Sequence, residues 1–212
     1  MLLPRLLFEN ERVCVRDLRL PPRMSTHVEL TYPTVRWQVE DGIHETADGS
    51  KEHVPNKHVF FDEAGVHCSL RNASPNSEYR QIWFEIKKEP RRSEEMTNEI
   101  LSRSKYPTNV GTELLLENRW CRVWDFYLQP SEDHSLSPHH HVLDYVFVYV
   151  APGRLLGYSH DGKPGLFDSI NNDGDVTYFD IPDGAELDVN YAHGGKNGYD
   201  DKPMREYLVE LK

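Results

Sequence analysis

The chain has 212 residues, a formal net charge of −11 and 28% charged residues, with no long run of Lys or Arg. It is large enough for one domain or two small ones, and its acidity argues against nucleic acid or an anionic membrane as partner. Three widely spaced cysteines, Cys14, Cys68 and Cys121, do not make a disulfide framework. No stretch approaches the length of an apolar membrane-spanning helix. The opening MLLPRLLFENE is apolar only briefly and lacks the long apolar run and cleavage site of a secretory leader. A reducing cytoplasm is the expected compartment.

Strand signals dominate from the start. In Leu6 to Pro22 (LLFENERVCVRDLRLPP), Val13, Val15 and Asp17 alternate with Cys14, Arg16 and Leu18, which predicts a strand with two distinct faces. Asp41-Gly42 and Asp48-Gly49 mark turns, and Gln81 to Ile86 reads as a closing strand. A charged stretch follows. Within it, Ser93 to Arg103 predicts a short helix, with Met96 and Ile100 four apart and Glu residues crowding its start.

Then the chain repeats itself. Leu114 to Pro130 (LLLENRWCRVWDFYLQP) matches Leu6 to Pro22 at an offset of 108, with eight identities in 17 positions. Glu78 to Lys87 likewise resembles Pro203 to Lys212 at an offset of 125, so the second copy carries a net 17 extra residues in its middle. A period this long indicates two small domains rather than a solenoid. In the second copy Asp144 to Val150 (DYVFVYV) is the strongest strand, apolar on both faces and therefore expected to be covered on both. Pro152-Gly153, Asp161-Gly162, Asp173-Gly174 and Asp183-Gly184 mark turns, and Glu206 to Leu211 closes the copy.

Directly before the strong strand stands Pro138-His139-His140-His141. On an extended backbone His139 and His141 point to one face and His140 to the other. Two imidazoles so placed form a metal grip suited to Zn, Cu, Fe or Ni. A further histidine, His193, precedes the closing strand in His193-Gly194-Gly195-Lys196-Asn197. His44, His53, His58 and His67 are irregularly spaced in turn-rich sequence, His160-Asp161-Gly162 reads as a hairpin turn, and Ser169 to Asp180 lacks the leading Asp and closing Glu of a calcium loop. Tyr145, Tyr178, Tyr191 and Arg205 are candidates for an interior, although Arg205 is matched by Arg80 in the other copy, which favours a salt bridge.

A strand-borne H-x-H, a β-run ending in Gly153 and a later His193-x-x-x-Asn197 resemble the two motifs of the cupin superfamily. The second copy resembles small single-domain cupins, and the first resembles the same unit in degenerate form. The resemblance implies an all-β chain of two tandem cupin jelly rolls: residues 1–88 with a degenerate site, a charged linker 89–112 with a short helix, and residues 113–212 with the candidate metal site. It implies that His139, His141 and His193 hold a divalent ion, Fe(II) first, with Zn, Mn or Ni as alternatives. Cupins usually carry a Glu seven residues before the motif Gly; that slot is Val146 here, and Asp144, two residues earlier, is the candidate fourth ligand or supporting carboxylate. In the first copy either Thr31 and Pro33 or Val28 and Leu30 stand in place of the paired histidines, with His27 one residue off and His67 near the third, so that copy is expected to lack a site.

The implied function is a metal-dependent enzyme of dioxygenase type acting on a small polar substrate bearing a carboxylate or thiol. A lyase or isomerase, a non-enzymatic small-ligand-binding protein, and a structural module are the alternatives. The expected partner is a small-molecule substrate, with no nucleic acid and no membrane; a homodimer and a pairing of the two barrels within one chain are the alternatives for the barrel interface.

Overall fold

The computed structural model describes residues 2–46, 48–130 and 135–212. The chain divides into two compact units, Met1–Glu89 and Pro90–Lys212. No helix among the described residues is long and apolar enough to cross a membrane.

In the first unit, β1 (Arg5–Glu9), β2 (Val13–Leu20), β4 (Thr34–Gln38), β7 (Val59–Asp62) and β9 (Tyr79–Ile86) form one sheet in the order β1-β2-β9-β4-β7. The strands β3 (Ser25–Glu29), β5 (Gly42–Glu45), β6 (Lys51–Val54) and β8 (His67–Asn72) form another in the order β3-β8-β5-β6. The second unit begins with α1 (Glu94–Arg103). One of its sheets joins β10 (Glu113–Glu117), β11 (Cys121–Leu128), β13 (Asp144–Tyr149), β16 (Val176–Phe179) and β18 (Met204–Leu211) in the order β10-β11-β18-β13-β16. The other joins β12 (Leu136–His140), β14 (Gly153–Ser159), β15 (Pro164–Asn171) and β17 (Ala192–Asn197) in the order β12-β17-β14-β15. Adding nine to each strand of the first unit reproduces the order of the second, so both have one antiparallel topology.

The residues shared by the two copies explain why. Asn10 Oδ1 accepts from the amides of Arg12 and Val13, and Asn118 Oδ1 accepts from those of Trp120 and Cys121, so the same side chain closes the same tight turn. Asn72 Nδ2 donates to Leu20 O and Ser77 O, while Asn197 Nδ2 donates to Leu128 O and Lys202 O, tying the same two segments in each copy. Arg80 pairs with the buried Asp17 at 3.1 Å, and Arg205 pairs with the buried Asp125 at 2.8 Å, as the repeated arginine suggested.

The predicted helix is present. Ser93 caps it, its Oγ accepting from Met96 N at 3.2 Å. The segment expected to be a separate linker is instead tied into the second unit. Arg91 N donates to Lys212 O, Lys105 N to Glu186 O and Thr112 N to Asp125 O, so its backbone hydrogen bonds are spent on that fold. The strand β13 is buried on both faces, as its apolar run required.

Candidate metal centre

Two strands deliver the histidines. Two of them come from β12 and the residue that follows it: His139 lies in the strand and His141 directly after its end, their rings meeting on one face while His140 takes the opposite one. The neighbouring β17 pairs His193 directly with His139. The three rings form a near-equilateral triangle, with centroids 5.0 Å apart for His139 and His141, 5.2 Å for His139 and His193, and 5.0 Å for His141 and His193. One nitrogen of each lies within 4.8 Å of the others.

The tautomer of His139 is set by its neighbour. Its Nδ1 donates to Ser137 O at 2.9 Å, which leaves the Nε2 lone pair facing His141 Nε2 at 3.2 Å. An ion about 2.1 Å from each nitrogen would hold neighbouring donors about 3.0–3.4 Å apart, so this pair is already spaced for coordination. His141 Nδ1 is buried with no hydrogen-bond partner, and its ring stacks on Tyr145 at 3.9 Å. Burial pushes the His139 and His193 imidazoles down to about 4, and that of His141 down well below its ordinary value, with the neighbouring histidines adding to the effect. All three are neutral near pH 7, the form that ligates a metal. The donor set therefore fits a divalent ion.

Asp144 does not join them. It sits on the face of β13 shared with Val146, whereas Tyr145 and Phe147 line the cavity beside the histidines. Its carboxylate instead takes Arg91 Nη1 at 3.1 Å and the amide of Ile181 at 2.9 Å. Strand alternation thus corrects the assignment of Asp144 as a ligand. His140 points away from the other two histidines, as expected, yet it is fully buried. Its Nε2 donates to Asp188 O at 3.1 Å and its Nδ1 lies 2.6 Å from Ser104 Oγ. Of the other aromatic candidates, Tyr191 borders the cavity, while the half-buried Tyr178 lies outside it, its hydroxyl 3.0 Å from Asp180 and 3.4 Å from Asp144. Among the described residues no second cluster of this kind forms, and His44 is engaged by Tyr79 and Glu52.

The histidines open onto a cavity of about 520 Å³. Its walls are largely apolar, with Phe126, Phe147, Phe167 and Phe179 prominent. Phe167 can enter only because Gly157 faces it: a Cβ on Gly157 would lie 2.4 Å from the ring. Its ring in turn meets His193 edge-on at 5.6 Å. No Lys or Arg lines the cavity, but two carboxylates do, the exposed Asp180 at its rim and the buried Glu206 on β18. Sequence reasoning missed this residue. The signal available was an acid alternating with Leu208 on a strand face that had to be interior.

No family model and no curated protein matches the sequence. Solved structures do match in fold. A cupin 2 conserved barrel domain protein from Leptotrichia buccalis is 14% identical over 99% of this chain and 88% of its own, with a TM-score of 0.50. AerE from Microcystis aeruginosa is 10% identical over 99% of this chain and 97% of its own, with a TM-score of 0.59. Salicylate 1,2-dioxygenase from Pseudoaminobacter salicylatoxidans, in a mutant form, is 10% identical over 94% of this chain and 71% of its own, with a TM-score of 0.51. The fold is that of the cupins.

Proposed function

We propose that this chain is a tandem pair of cupin barrels whose second barrel is a divalent-metal enzyme of dioxygenase type acting on a small molecule. The observation that carries the reading is the meeting of three neutral imidazoles on an apolar cavity of about 520 Å³. All-nitrogen donors accept Fe(II), Zn, Ni or Mn; Fe(II) is favoured because a water-poor aromatic cavity suits chemistry with O₂. When bound, the ion would polarise an oxygen or sulfur group of the substrate and activate O₂ beside it.

The remaining work falls to the chain's own side chains. Ser137 O fixes the His139 tautomer, and Tyr145 holds the His141 ring by stacking. Phe126, Phe147 and Phe167 exclude water and hold a flat or apolar substrate body. With no cationic side chain on the wall, a substrate carboxylate would find its counter-charge only at the ion. The likeness to a dioxygenase adds only analogy of fold.

Metal analysis of the purified chain beside His141→Ala tests the reading. About one equivalent of a transition ion in the wild type, lost in the variant, is expected. Oxygen uptake with a panel of thiols, diols and hydroxybenzoates then tests the reaction. Bound metal with no turnover would return the protein to the ligand-binding class, and absence of stoichiometric metal would end the proposal.

A further inference from the structure

Glu206 is 2% exposed and lines the cavity, yet its Oε1 is buried with no hydrogen-bond partner. The Tyr149 hydroxyl is buried beside it, in reach of Glu206, Ser169 and Asn171. A buried acid so sparsely partnered is costly in an apolar wall, and the scaffold does not require the cost here. In the first unit the register places Gln81 where the second has Glu206, and Gln38 where it has Tyr149. There the amide is neutral and occupied: Gln81 Nε2 donates to Tyr79 Oη at 2.8 Å, and its Oε1 accepts from Trp83 Nε1 at 3.0 Å. The same strand position in the same topology can therefore be fully satisfied.

The two sheets of the second unit place this acid independently. Along β13, Tyr145 stacks on His141, Phe147 follows, and Tyr149 comes four residues on, directly across from Glu206. Along β17, His193 is four residues from Asn197, which pairs with Leu155, and Leu155 pairs with Ser169. Four residues of strand span about 13 Å. Both walls thus run from the histidines, across an apolar middle, to a polar end made by Glu206 and Tyr149 on one side and Ser169 and Asn171 on the other. Burial holds the Glu206 carboxyl up at about 7, so it can donate or accept near neutrality.

From this geometry we infer that Glu206, with Tyr149, Ser169 and Asn171 around it, is a second recognition subsite, which takes a hydroxyl or amine at the end of the ligand remote from the histidines. The ligand class that fits is elongated, with a metal-seeking group at one end, a flat or apolar body, and a hydrogen-bond donor at the other end. The inference deepens the proposed function and rests on it only for the metal-seeking end.

Binding of 4-propylphenol and propylbenzene to the full chain, with and without added Fe(II) under anaerobic conditions, tests it. The metal-free wild type is expected to bind the phenol at least about tenfold more tightly than the hydrocarbon. Glu206→Leu should reduce that preference to within about twofold and leave the affinity for propylbenzene little changed. Tyr149→Phe, which keeps the ring, should cut the preference at least about threefold and serves as the second variant. A wild type that does not distinguish the probes, or a preference that survives Glu206→Leu, overturns the subsite. Because the probes are compared without metal, a chain that fails to bind Fe(II) would sink the proposed reaction and still decide this question.

Discussion

The two units carry the same staples and opposite interiors. The registers β3–β8 and β12–β17 match at the histidines, before which only β12 carries an irregularity, so Val28 stands where the second unit has His139, Leu30 where it has His141, and Cys68 where it has His193. At the position of Gly195 stands Leu70. These four residues join Leu18, Leu20, Tyr79 and Trp83 in one packed cluster, with Val28 at its edge. In the second unit the corresponding space is a cavity. Strand pairing, turn closure and the buried Asp–Arg pair are therefore independent of what fills the barrel, and one scaffold can be closed with side chains or left open around imidazoles.

The strongest way to break the comparison is to make the second interior like the first. The triple variant His139→Val, His141→Leu, His193→Cys is expected to remain folded, because the same side chains pack in the same topology in the first unit. Its affinity for transition ions should fall at least about 100-fold, as should that of His141→Ala alone. Metal content by mass spectrometry, read beside a circular dichroism melt, checks both halves. Retained metal in the triple variant would place the site elsewhere.

Reversing the question, Trp83 has no exposed surface and sits within the first unit's cluster, whereas its counterpart Leu208 borders the cavity. Trp83→Ala should destabilise by about 3–5 kcal/mol, because the space it leaves has walls on every side. Leu208→Ala enlarges a space that already exists and should fall near about 2 kcal/mol, at the low end of the range for such truncations. Urea denaturation of the metal-free chain compares the two, and equal costs would mean that the second interior is as tightly filled as the first.

How much of this was legible follows from the kind of signal each residue left. The repeat was visible because staples such as Asn10 and Asn118 each have one job that few side chains can do. The paired histidines were visible because a period of two on a strand needs no knowledge of partners, and the structure brings His193 beside them. The choice between Val28 with Leu30 and Thr31 with Pro33 needed the β3–β8 register, which a sequence does not carry. Asp144 failed as a ligand for a related reason. Alternation correctly puts it with Val146, but only the sheet tells which face of β13 looks inward. Glu206 left a local signal, an acid among apolar residues, that is indistinguishable from a solvated strand face until the cavity is seen.

Glu206 also separates the two units by pH. In the folded chain burial raises its carboxyl to about 7 from an ordinary 4.5. Between those values the folded protein holds the proton more tightly than the unfolded one, so the group's contribution to stability declines as pH rises and stays low above about 7. Glu206→Gln removes that decline. The variant should match wild type near pH 4.5 and exceed it by roughly 3 kcal/mol at most near pH 7.5. The histidines titrate in the opposite sense, from 6.5 down to about 4 for His139 and His193, but both proteins share them, so they cancel in the difference. Urea midpoints of the metal-free proteins at the two pH values give the answer. A constant difference would show that Glu206 titrates as it does in the unfolded chain. Gln81→Glu in the first unit runs the same test in reverse, since it would strand an acid among groups arranged for an amide.

The smallest effect expected belongs to an exposed charge pair that is not among the repeat's staples. Arg154 meets Asp168 across β14 and β15 at 2.6 Å, but the two side chains are 37% and 52% exposed. In such a position water and salt screen most of the attraction, so Arg154→Ala should cost within about 1 kcal/mol and less at high salt. Arg80→Ala removes one partner of an Asp17 side chain that is only 1% exposed and keeps Arg19 at 2.8 Å, and Arg205→Ala removes the guanidinium paired with Asp125 at 0%. Each would weaken the pairing of a buried carboxylate and should cost about 1–3 kcal/mol, more than the exposed pair. Similar losses at Arg80 and Arg205, set against a near-neutral Arg154, would show that the repeated pairs hold the scaffold in both units. A loss at Arg80 without one at Arg205 would mean that the open barrel relies on its staples less than the filled one does.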